Sequence, residues 1–451
     1  MSAKAKSNLF YQTRLRRPTL AQASGIYMWD VEGKRYLDGS SGAMVCNIGH
    51  SNPYVLEAMR RQMEKATFGY RLHFETEASE QLAKKAASLA PDGMEKVFFV
   101  SGGSEAVESA IKLARQYALA IGESQRWKVI SRYPSYHGAT LGALALTGYA
   151  PMTAPFDPMM RRMPKVPAPR AYLDGLDLAK EETGHRYADM LEQRILEEGP
   201  ETVLAFIVEP VGGASTGALV PPAGYMQRIR EICSRYDVLL IHDEVMSGGG
   251  RTGRFFSGDH WNVKPDILTI SKGFAAGYAP LGAMIADDKI VEPVLSAGGF
   301  IHGYTYAGNP LACAAGLAVL HEIEQQGMIE NSRKIGDLLK SEIEALALRY
   351  PFIGDVRGMG LLLAFELMQE GTTDPLPKEL NAFNRLVDIA HDNGLIIYSR
   401  RTRGGLEGDH FLVAPPMITT EENVGEIIDL LTRSLDQFAK EADLPVRTNT
   451  V

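Results

Sequence analysis

The sequence predicts an α/β fold in which a large domain, built on a mostly parallel sheet, is followed by a small α+β domain. The chain has 451 residues, more than one hydrophobic core usually organises. Between residues 95 and 327, short apolar runs alternate with longer helical patterns, as in a parallel sheet covered by helices. The C-terminal part has a different order of elements, which places the domain boundary near residues 325–335.

Six short apolar runs predict the strands of the large domain. They are Lys96–Val100, Lys128–Ser131, Val203–Glu209, Val238–Ile241, Ile267–Ile270 and Leu281–Ala286. Apolar residues at helical spacing predict helices over Glu105–Gly122, Tyr225–Tyr236 and Pro310–Gln326. Gly122 suits the left-handed end of the first helix, because glycine adopts that conformation without a steric penalty.

The small domain is predicted from a shorter set of patterns. Strands are expected at Leu361–Leu367, Leu395–Tyr398 and Phe411–Ala414, with a helix near Leu380–Asp392 that Gly394 ends. A final helix opens on Thr419-Thr420-Glu421-Glu422, the pattern of a capping box.

Residues 1–60 contain a predicted hairpin at Ile26–Leu37, turned by Glu32-Gly33, and are too few to form a core. We therefore expect this N-terminal segment to pack on the small domain. The predicted division is 1–60, then 61–328 for the large domain and 329–451 for the small domain.

Charge and composition argue against several classes of protein. The formal net charge is −8, so we expect no general attraction to nucleic acid or to an anionic membrane. No apolar run has the length of a signal peptide or a membrane span, and a cytoplasmic location is expected by default. Cys46, Cys233 and Cys313 lie far apart with no CxxC spacing, so they suggest neither a disulfide nor a zinc site. We interpret them as small buried hydrophobic residues.

Lys272 and Asp243 each follow a buried strand, and one further strand-to-helix interval separates them. Both side chains are therefore expected at the carboxyl edge of the same sheet, where α/β proteins bind ligands. An amine and a carboxylate at that edge match pyridoxal 5′-phosphate (PLP), whose aldehyde forms a Schiff base with lysine and whose ring nitrogen must stay protonated. The alternatives are a solvated lysine at a strand end and an exposed acid in a turn.

The phosphate of such a cofactor needs backbone N–H donors, and Ser101-Gly102-Gly103-Ser104 lies between a strand and a helix. Its glycines let the backbone approach closely, Ser104 can cap the helix, and the helix dipole faces the phosphate. An ordinary glycine-rich turn is the alternative, and the missing GK[ST] excludes a Walker loop. A metal site at His242, Asp243 and Glu244 is not expected, because consecutive strand residues alternate faces and no third ligand has recognisable spacing.

Nine short motifs are spread along the chain: YMWDVEGKRYLDG (27–39), SGGSEAVESAIKLAR (101–115), YHG (136–138), EP (209–210), HDEV (242–245), GRTGRFF (250–256), SKG (271–273), GYTYAGNP (303–310) and GDHFLVAPP (408–416). Together they resemble the class III aminotransferases of PLP-dependent fold type I, in the ω-amino acid:pyruvate branch. The resemblance covers nearly the whole chain. It implies a large domain with a mostly parallel seven-stranded sheet and a small α+β domain.

The resemblance also implies roles around the cofactor ring. Lys272 would form the Schiff base, or internal aldimine, and move the proton between the substrate and the cofactor. Asp243 would pair with the ring nitrogen, and Glu209 would support it. Tyr136 would stack on one face of the ring, and Val245 would press on the other.

Further residues are implied at the phosphate. Gly103 and Ser104 would bind it within one subunit, and Thr305 would reach it from the partner of a homodimer with shared active sites. A tetramer of such dimers is the alternative assembly. His137 would lie beside the cofactor, although a histidine satisfied within the core is an alternative interpretation.

Two features concern the substrate. Met44 stands where relatives active on bulky amines commonly have tryptophan, which predicts a wider or more adaptable pocket, with ordinary core filling as the alternative. Residues 399–409 are expected to form a loop with three candidate arginines, Arg400, Arg401 and Arg403. Of these, Arg401 or Arg403 is predicted to swing in to bind the carboxylate of pyruvate, with a solvated basic loop as the alternative.

The predicted function is transfer of an amino group from an amine or ω-amino acid to a 2-oxo acid such as pyruvate, by a ping-pong mechanism. A PLP-dependent aminomutase or decarboxylase on the same fold is the alternative, because both share the lysine, the aspartate and the phosphate-binding turn. A protein that only binds PLP is argued against by intact Lys272, Asp243 and Tyr136. The sequence does not name the amine donor or the preferred oxo acid.

Overall fold

A seven-stranded sheet forms the centre of the protein, and two smaller sheets lie toward the chain ends in a computed structural model that describes residues 7–447. The strands are β1 Leu20–Ser24, β2 Tyr27–Asp30, β3 Arg35–Asp38, β4 Lys96–Val100, β5 Lys128–Tyr133, β6 Lys165–Pro167, β7 Val203–Val208, β8 Leu239–Asp243, β9 Ile267–Ile270, β10 Gly282–Ala286, β11 Ile353–Met359, β12 Leu362–Leu367, β13 Leu395–Ile396, β14 Tyr398–Arg403 and β15 Glu407–Val413.

Helices cover the sheets and connect their strands. They are α1 Ser41–Met44, α2 Pro53–Lys65, α3 Glu77–Leu89, α4 Gly103–Ala120, α5 Leu141–Leu146, α6 Ala150–Thr153, α7 Glu181–Glu198, α8 Tyr225–Arg235, α9 Asp288–Ser296, α10 Pro310–Gln325, α11 Met328–Arg349, α12 Ala382–Asp392 and α13 Glu421–Ala442. Gly122, just beyond α4, has a φ of +85°, as the predicted helix end requires.

The central sheet has the strand order β4-β10-β9-β8-β7-β5-β6. Only β10 runs antiparallel to its neighbours β4 and β9 among these strands, so the predicted mostly parallel seven-stranded sheet is confirmed. All six residues of β7 are buried, because helices cover both faces. Phe206 and Val208 pack with α7 and α8, whereas Ala205 and Ile207 pack with α4. The three-residue strand β6 is too short to give a sequence pattern.

The C-terminal part contains an antiparallel sheet of order β11-β12-β15-β14. Its segment 399–409, predicted as a loop, is instead mostly the β14–β15 hairpin, in which Arg401 pairs with Asp409 and Arg403 with Glu407. This strand was not predicted because Arg400, Arg401 and Arg403 interrupt the alternation of apolar and polar residues that is typical of a half-buried strand.

The capping box of α13 is present one residue later than predicted. Thr420 is the cap, its Oγ1 accepting the Asn423 N–H at 3.2 Å, while Asn423 Oδ1 accepts the Thr420 N–H at 3.0 Å. The predicted pair of Thr419 and Glu422 was wrong, because Asn423 supplies the same acceptor as glutamate with a shorter side chain.

The N-terminal hairpin packs against the C-terminal part. β3 pairs in parallel with β13, through Leu37 opposite Leu395, and Ile26 joins the hydrophobic cluster formed by α11, α12 and α13. The proposed division into 1–60, 61–328 and 329–451 stays a prediction, and its outermost residues, 1–6 and 448–451, lie outside the described chain.

Two expectations from composition can be compared with the structure. No described helix combines the length and the apolar character needed to cross a membrane. Cys233 and Cys313 are buried as predicted, but Cys46 is partly exposed. The interpretation of Cys46 as a buried hydrophobic residue was therefore wrong, because the turn between α1 and α2 brings it to the protein surface.

Candidate active site

Lys272 and Asp243 meet at the carboxyl edge of the central sheet. β8 ends at Asp243, and Lys272 follows the neighbouring parallel strand β9, in which Thr269 is paired with Asp243. Both side chains line a cavity of about 140 Å³, which we call the inner cavity. Its lining residues are Gly103, Ser104, Tyr136, His137, Gly138, Glu209, Val211, Ala214, Asp243, Val245, Met246 and Lys272. The structure thus brings together eight of the sequence-predicted site residues.

The amine of Lys272 is buried in this cavity. Burial lowers the pKa of Lys272 to about 8, although the negative charges of Asp243 and Glu209 act in the opposite direction. A lysine in this environment is more readily deprotonated than one in water, and the neutral amine is the nucleophilic form. The backbone of Lys272 has a φ of +43°, in the left-handed region that residues other than glycine rarely adopt.

Asp243 is held by hydrogen bonds to both carboxylate oxygens. The Nδ1 atom of His137 lies 2.8 Å from Oδ2, and the Val245 N–H donates to Oδ1 at 3.1 Å. Thr269 Oγ1 also donates to Oδ1, at 3.3 Å. His137 is buried, and its other ring nitrogen, Nε2, has no partner within the described chain. The carboxylate is therefore fixed in orientation at the cavity wall.

Glu209 lies beside this pair as a second buried acid. Its Oε1 accepts the Gly213 N–H at 3.0 Å, whereas Oε2 has no hydrogen-bond partner in the part of the chain that the structure describes. Arg132 Nη2 is 3.8 Å from Oε2. Burial raises the pKa of Glu209, and the positive charges of His137 and Arg132 oppose that change.

The turn before α4 provides close backbone approach. A Cβ at Gly103 would lie 2.7 Å from the Val245 side chain, so this position requires glycine. No side chain caps α4, which leaves the amides of its first turn available to an anion. The prediction that Ser104 caps the helix was wrong. The helix begins at Gly103, so Ser104 lies inside the first turn, where its Oγ accepts the Ala139 N–H at 3.0 Å.

A second cavity of about 210 Å³, the outer cavity, adjoins the first and shares four of its lining residues. It is lined by Ala43, Met44, Tyr136, Tyr149, Met152, Ala214, Ser215, Met246, Lys272, Tyr398 and Arg400. Met44, predicted to face the substrate, is in this wall and is almost fully buried. The shared residues Tyr136 and Lys272 face both cavities, so a ligand in one can reach a ligand in the other.

The structure does not bring Arg401 or Arg403 to either cavity. Arg401 Nε donates to Asp409 at 2.9 Å, with its guanidinium over the Phe383 ring, and Arg403 donates to the Thr373 carbonyl. Arg400 instead lines the outer cavity and donates to the Tyr398 hydroxyl and, at 3.1 Å, to the Ser399 carbonyl.

Arg400 was one of three candidate arginines in the sequence, but Arg401 and Arg403 were favoured, although the sequence contained the signal that separates them. Alternate residues of a strand point to opposite faces, so Tyr398 and Arg400 share one face of β14 while Arg401 and Arg403 share the other. Thr305 lies in an exposed turn before α10 and does not line either cavity of its own chain.

Comparisons with known proteins show the family to which the chain belongs. A family model described as Aminotransferase class-III matches residues 12–435. The putrescine–pyruvate aminotransferase of Pseudomonas aeruginosa is 35% identical over 423 residues, which is 93% of this chain and 91% of that protein.

Solved structures are similar over the same length. An (S)-enantioselective omega-transaminase from Thermomicrobium roseum is 36% identical, with a TM-score of 0.89 and 96% of both chains covered. The omega-transaminase of Pseudomonas jessenii in complex with PMP is 32% identical, with a TM-score of 0.89 and 97% of both chains covered.

Proposed function

The chain belongs to the class-III aminotransferases and is similar to omega-transaminases, and from this premise we propose that it is a PLP-dependent enzyme with a ping-pong mechanism. It would move an amino group from an amine or ω-amino acid to a 2-oxo acid such as pyruvate. The observation that carries the proposal is the common cavity of Lys272 and Asp243, a buried amine and a fixed carboxylate at one sheet edge.

The residues of the inner cavity fit PLP. The uncapped start of α4, with Gly103 and Ser104, offers backbone N–H groups and a helix dipole to a phosphate. His137 Nε2 and Glu209 Oε2 are buried without hydrogen-bond partners among residues 7–447, so polar atoms of a ligand can satisfy them. When bound, PLP supplies an aldehyde that condenses with amines and a protonated ring that accepts the electron pair left on the substrate carbon.

Lys272 and Asp243 carry the central roles in this proposal. Lys272 would hold the cofactor through its amine, and the free Nζ would take the proton from the substrate Cα. Its pKa of about 8 suits both tasks, because near neutral pH a much larger share of this amine is neutral than of a lysine in water. The Asp243 carboxylate would pair with the protonated ring nitrogen and keep that proton in place.

The remaining inner residues position these groups. His137 holds the Asp243 carboxylate in one orientation, and Glu209 supports the same side of the site. Tyr136 and Val245 are proposed to contact the two faces of the ring.

We propose that the substrate occupies the outer cavity. Arg400 is the arginine in its wall, and no carboxylate pairs with it in the described chain, unlike Arg401, which Asp409 engages. A guanidinium without an acid partner can bind the carboxylate of pyruvate through two N–H groups. Met44 and Met152 supply flexible apolar walls for the rest of the donor.

A homodimer is proposed to complete the site. Thr305 is exposed in its own chain, and several large apolar side chains near it in sequence or space are exposed as well, including Ile301, Tyr306 and Phe68. A two-fold partner would cover this surface and present Thr305 to the phosphate of the opposite site.

Two separate half-reactions on the holoenzyme test the proposed function. We expect an amine from a donor panel to remove the visible absorbance of the lysine-bound cofactor without any oxo acid. After the amine is removed, pyruvate should restore the absorbance and yield alanine. If no amine in the panel removes this absorbance, the proposal is contradicted. Release of CO₂, or an isomerised amine formed without pyruvate, would instead indicate a decarboxylase or an aminomutase.

A further inference from the structure

Three potential metal ligands of different chemistry converge outside both cavities. They are Asp38 at the end of β3, Cys46 after α1 and His50 before α2. Their ligand atoms all lie within 4.8 Å of one another, and no other such group occurs between residues 7 and 447. We propose that these three side chains form a binding site for a thiophilic divalent cation, with Zn²⁺ as the best match.

The donor set is the one that zinc prefers. Zn²⁺ binds thiolate sulfur at about 2.3 Å and imidazole nitrogen or carboxylate oxygen at about 2.0–2.2 Å. Tetrahedral ligands at those distances are roughly 3–4 Å apart, so donors within 4.8 Å need only small side-chain rotations to converge. Magnesium and calcium are not expected, because they prefer oxygen ligands. A thiolate and a carboxylate also neutralise the charge of a divalent ion.

The ligands are already oriented. Asp38 is fully buried, and its Oδ1 accepts the Gly42 N–H at 2.9 Å, which leaves Oδ2 directed at His50 Nε2, also 2.9 Å away. In metal sites, a carboxylate ligand is commonly held by such a hydrogen bond from the protein. The His50 side chain is 15% exposed and Cys46 is partly exposed, so an ion can enter from solvent and water can complete its coordination.

The site adjoins the loop that carries the reactive lysine. A Cβ at Gly277 would lie 3.5 Å from Cys46 Sγ, so the thiol touches the backbone five residues beyond Lys272. The next residue, Asn47, packs so closely on Gly273 that a Cβ there would lie 2.2 Å from its Nδ2. An ion bound at Cys46 would therefore restrain the N-terminal segment against the loop after Lys272.

Zn²⁺ binding to the metal-free holoenzyme tests the proposal. We expect one Zn²⁺ per chain after gel filtration, measured by elemental analysis. Cys46→Ser removes the thiolate at nearly constant size, and it should weaken binding by about 100-fold, since even outer partners of metal ligands contribute ~10–100-fold. His185→Gln, at an exposed histidine of α7, is the matched control and should bind as the wild type does. No bound Zn²⁺ in the wild type, or equal binding by Cys46→Ser, would overturn the site.

A second measurement needs no variant. Of the three cysteines, only Cys46 is not buried, so mild alkylation with iodoacetamide should modify it selectively. Zn²⁺ should slow this modification at least about tenfold, because a metal-bound thiolate is a poor nucleophile. An alkylation rate of Cys46 that is the same with and without Zn²⁺ would overturn the proposal, even if Cys46→Ser failed to fold.

Discussion

Replacement of Arg400 by glutamine should weaken the reaction with pyruvate selectively. Arg400 is the arginine in the wall of the outer cavity, and its Tyr398 and Ser399 partners are neutral, so its charge is available to a carboxylate. Glutamine keeps much of the side-chain length and can still donate one hydrogen bond, but it removes the positive charge and the two-pronged geometry.

The size of the effect follows from the exposure of the site. A hydrogen bond to a charged group contributes about 1.5–3 kcal/mol. Arg400 is only partly buried, so the lower end of that range, about 1.5–2 kcal/mol, is appropriate. At about 1.4 kcal/mol per factor of ten, kcat/KM for pyruvate should fall by about 10–30-fold.

The measurement is the second half-reaction, in which the amino-loaded enzyme is mixed with the acceptor and the return of the visible absorbance is followed. An aldehyde acceptor without a carboxylate serves as the substrate control, and Arg400→Gln should leave its rate within about twofold. Arg401→Gln and Arg403→Gln are the matched variants, because their guanidinium groups are engaged by Asp409 and Thr373. An equal loss with the aldehyde, or a selective loss in the Arg401 or Arg403 variant, would refute the assignment to Arg400.

Three other positions give expected outcomes. Lys272→Ala should abolish turnover and the visible absorbance while PLP still binds weakly; measurable transamination would exclude the assignment. Because burial lowers the pKa of Lys272 to about 8, its neutral form grows with pH, so covalent uptake of PLP by the apoenzyme should accelerate up to about pH 8 and then level off. A rate still rising at about pH 10 would contradict this. Asp243→Asn should lower kcat by about 10²-fold or more, because an amide cannot stabilise a protonated ring, and a wild-type kcat would refute the pairing. Thr305→Ala should increase PLP loss on dialysis without lowering the melting temperature; unchanged retention would argue against a shared site.

The large sheet and its reactive edge could be predicted from the sequence because local patterns determine both. Buried parallel strands appear in the sequence as continuous apolar runs, and the carboxyl ends of neighbouring parallel strands lie at one edge of the sheet. The common location of Lys272 and Asp243 could therefore be predicted from the direction of their two strands, without knowledge of any long-range contact. Ser104 lines the inner cavity, but its assignment as a cap was wrong, since a helix start shifts easily by two residues when a glycine pair precedes it.

The outer cavity was harder to predict because its wall comes from distant parts of the chain. Met44, Tyr149 and Arg400 meet only when the N-terminal segment, the loop after α5 and β14 have packed together. No sequence pattern specifies that packing. The choice among three arginines depended on recognising a strand, since its alternation separates Arg400 from Arg401 and Arg403.

His137 illustrates how such a tertiary contact gives a residue its role. From the sequence, His137 could be either a histidine satisfied within the core or a neighbour of the cofactor, because the residue type is compatible with both. In the structure, Thr147 Oγ1 accepts the His137 N–H at 2.9 Å, and Ser135 bridges to Gly148, so the chain folds back on itself at the sheet edge. This fold directs the imidazole to Asp243 while the preceding Tyr136 lines both cavities. Under the proposed function, we therefore expect His137 to act as a positioning residue, whose loss would affect cofactor binding through the orientation of the Asp243 carboxylate.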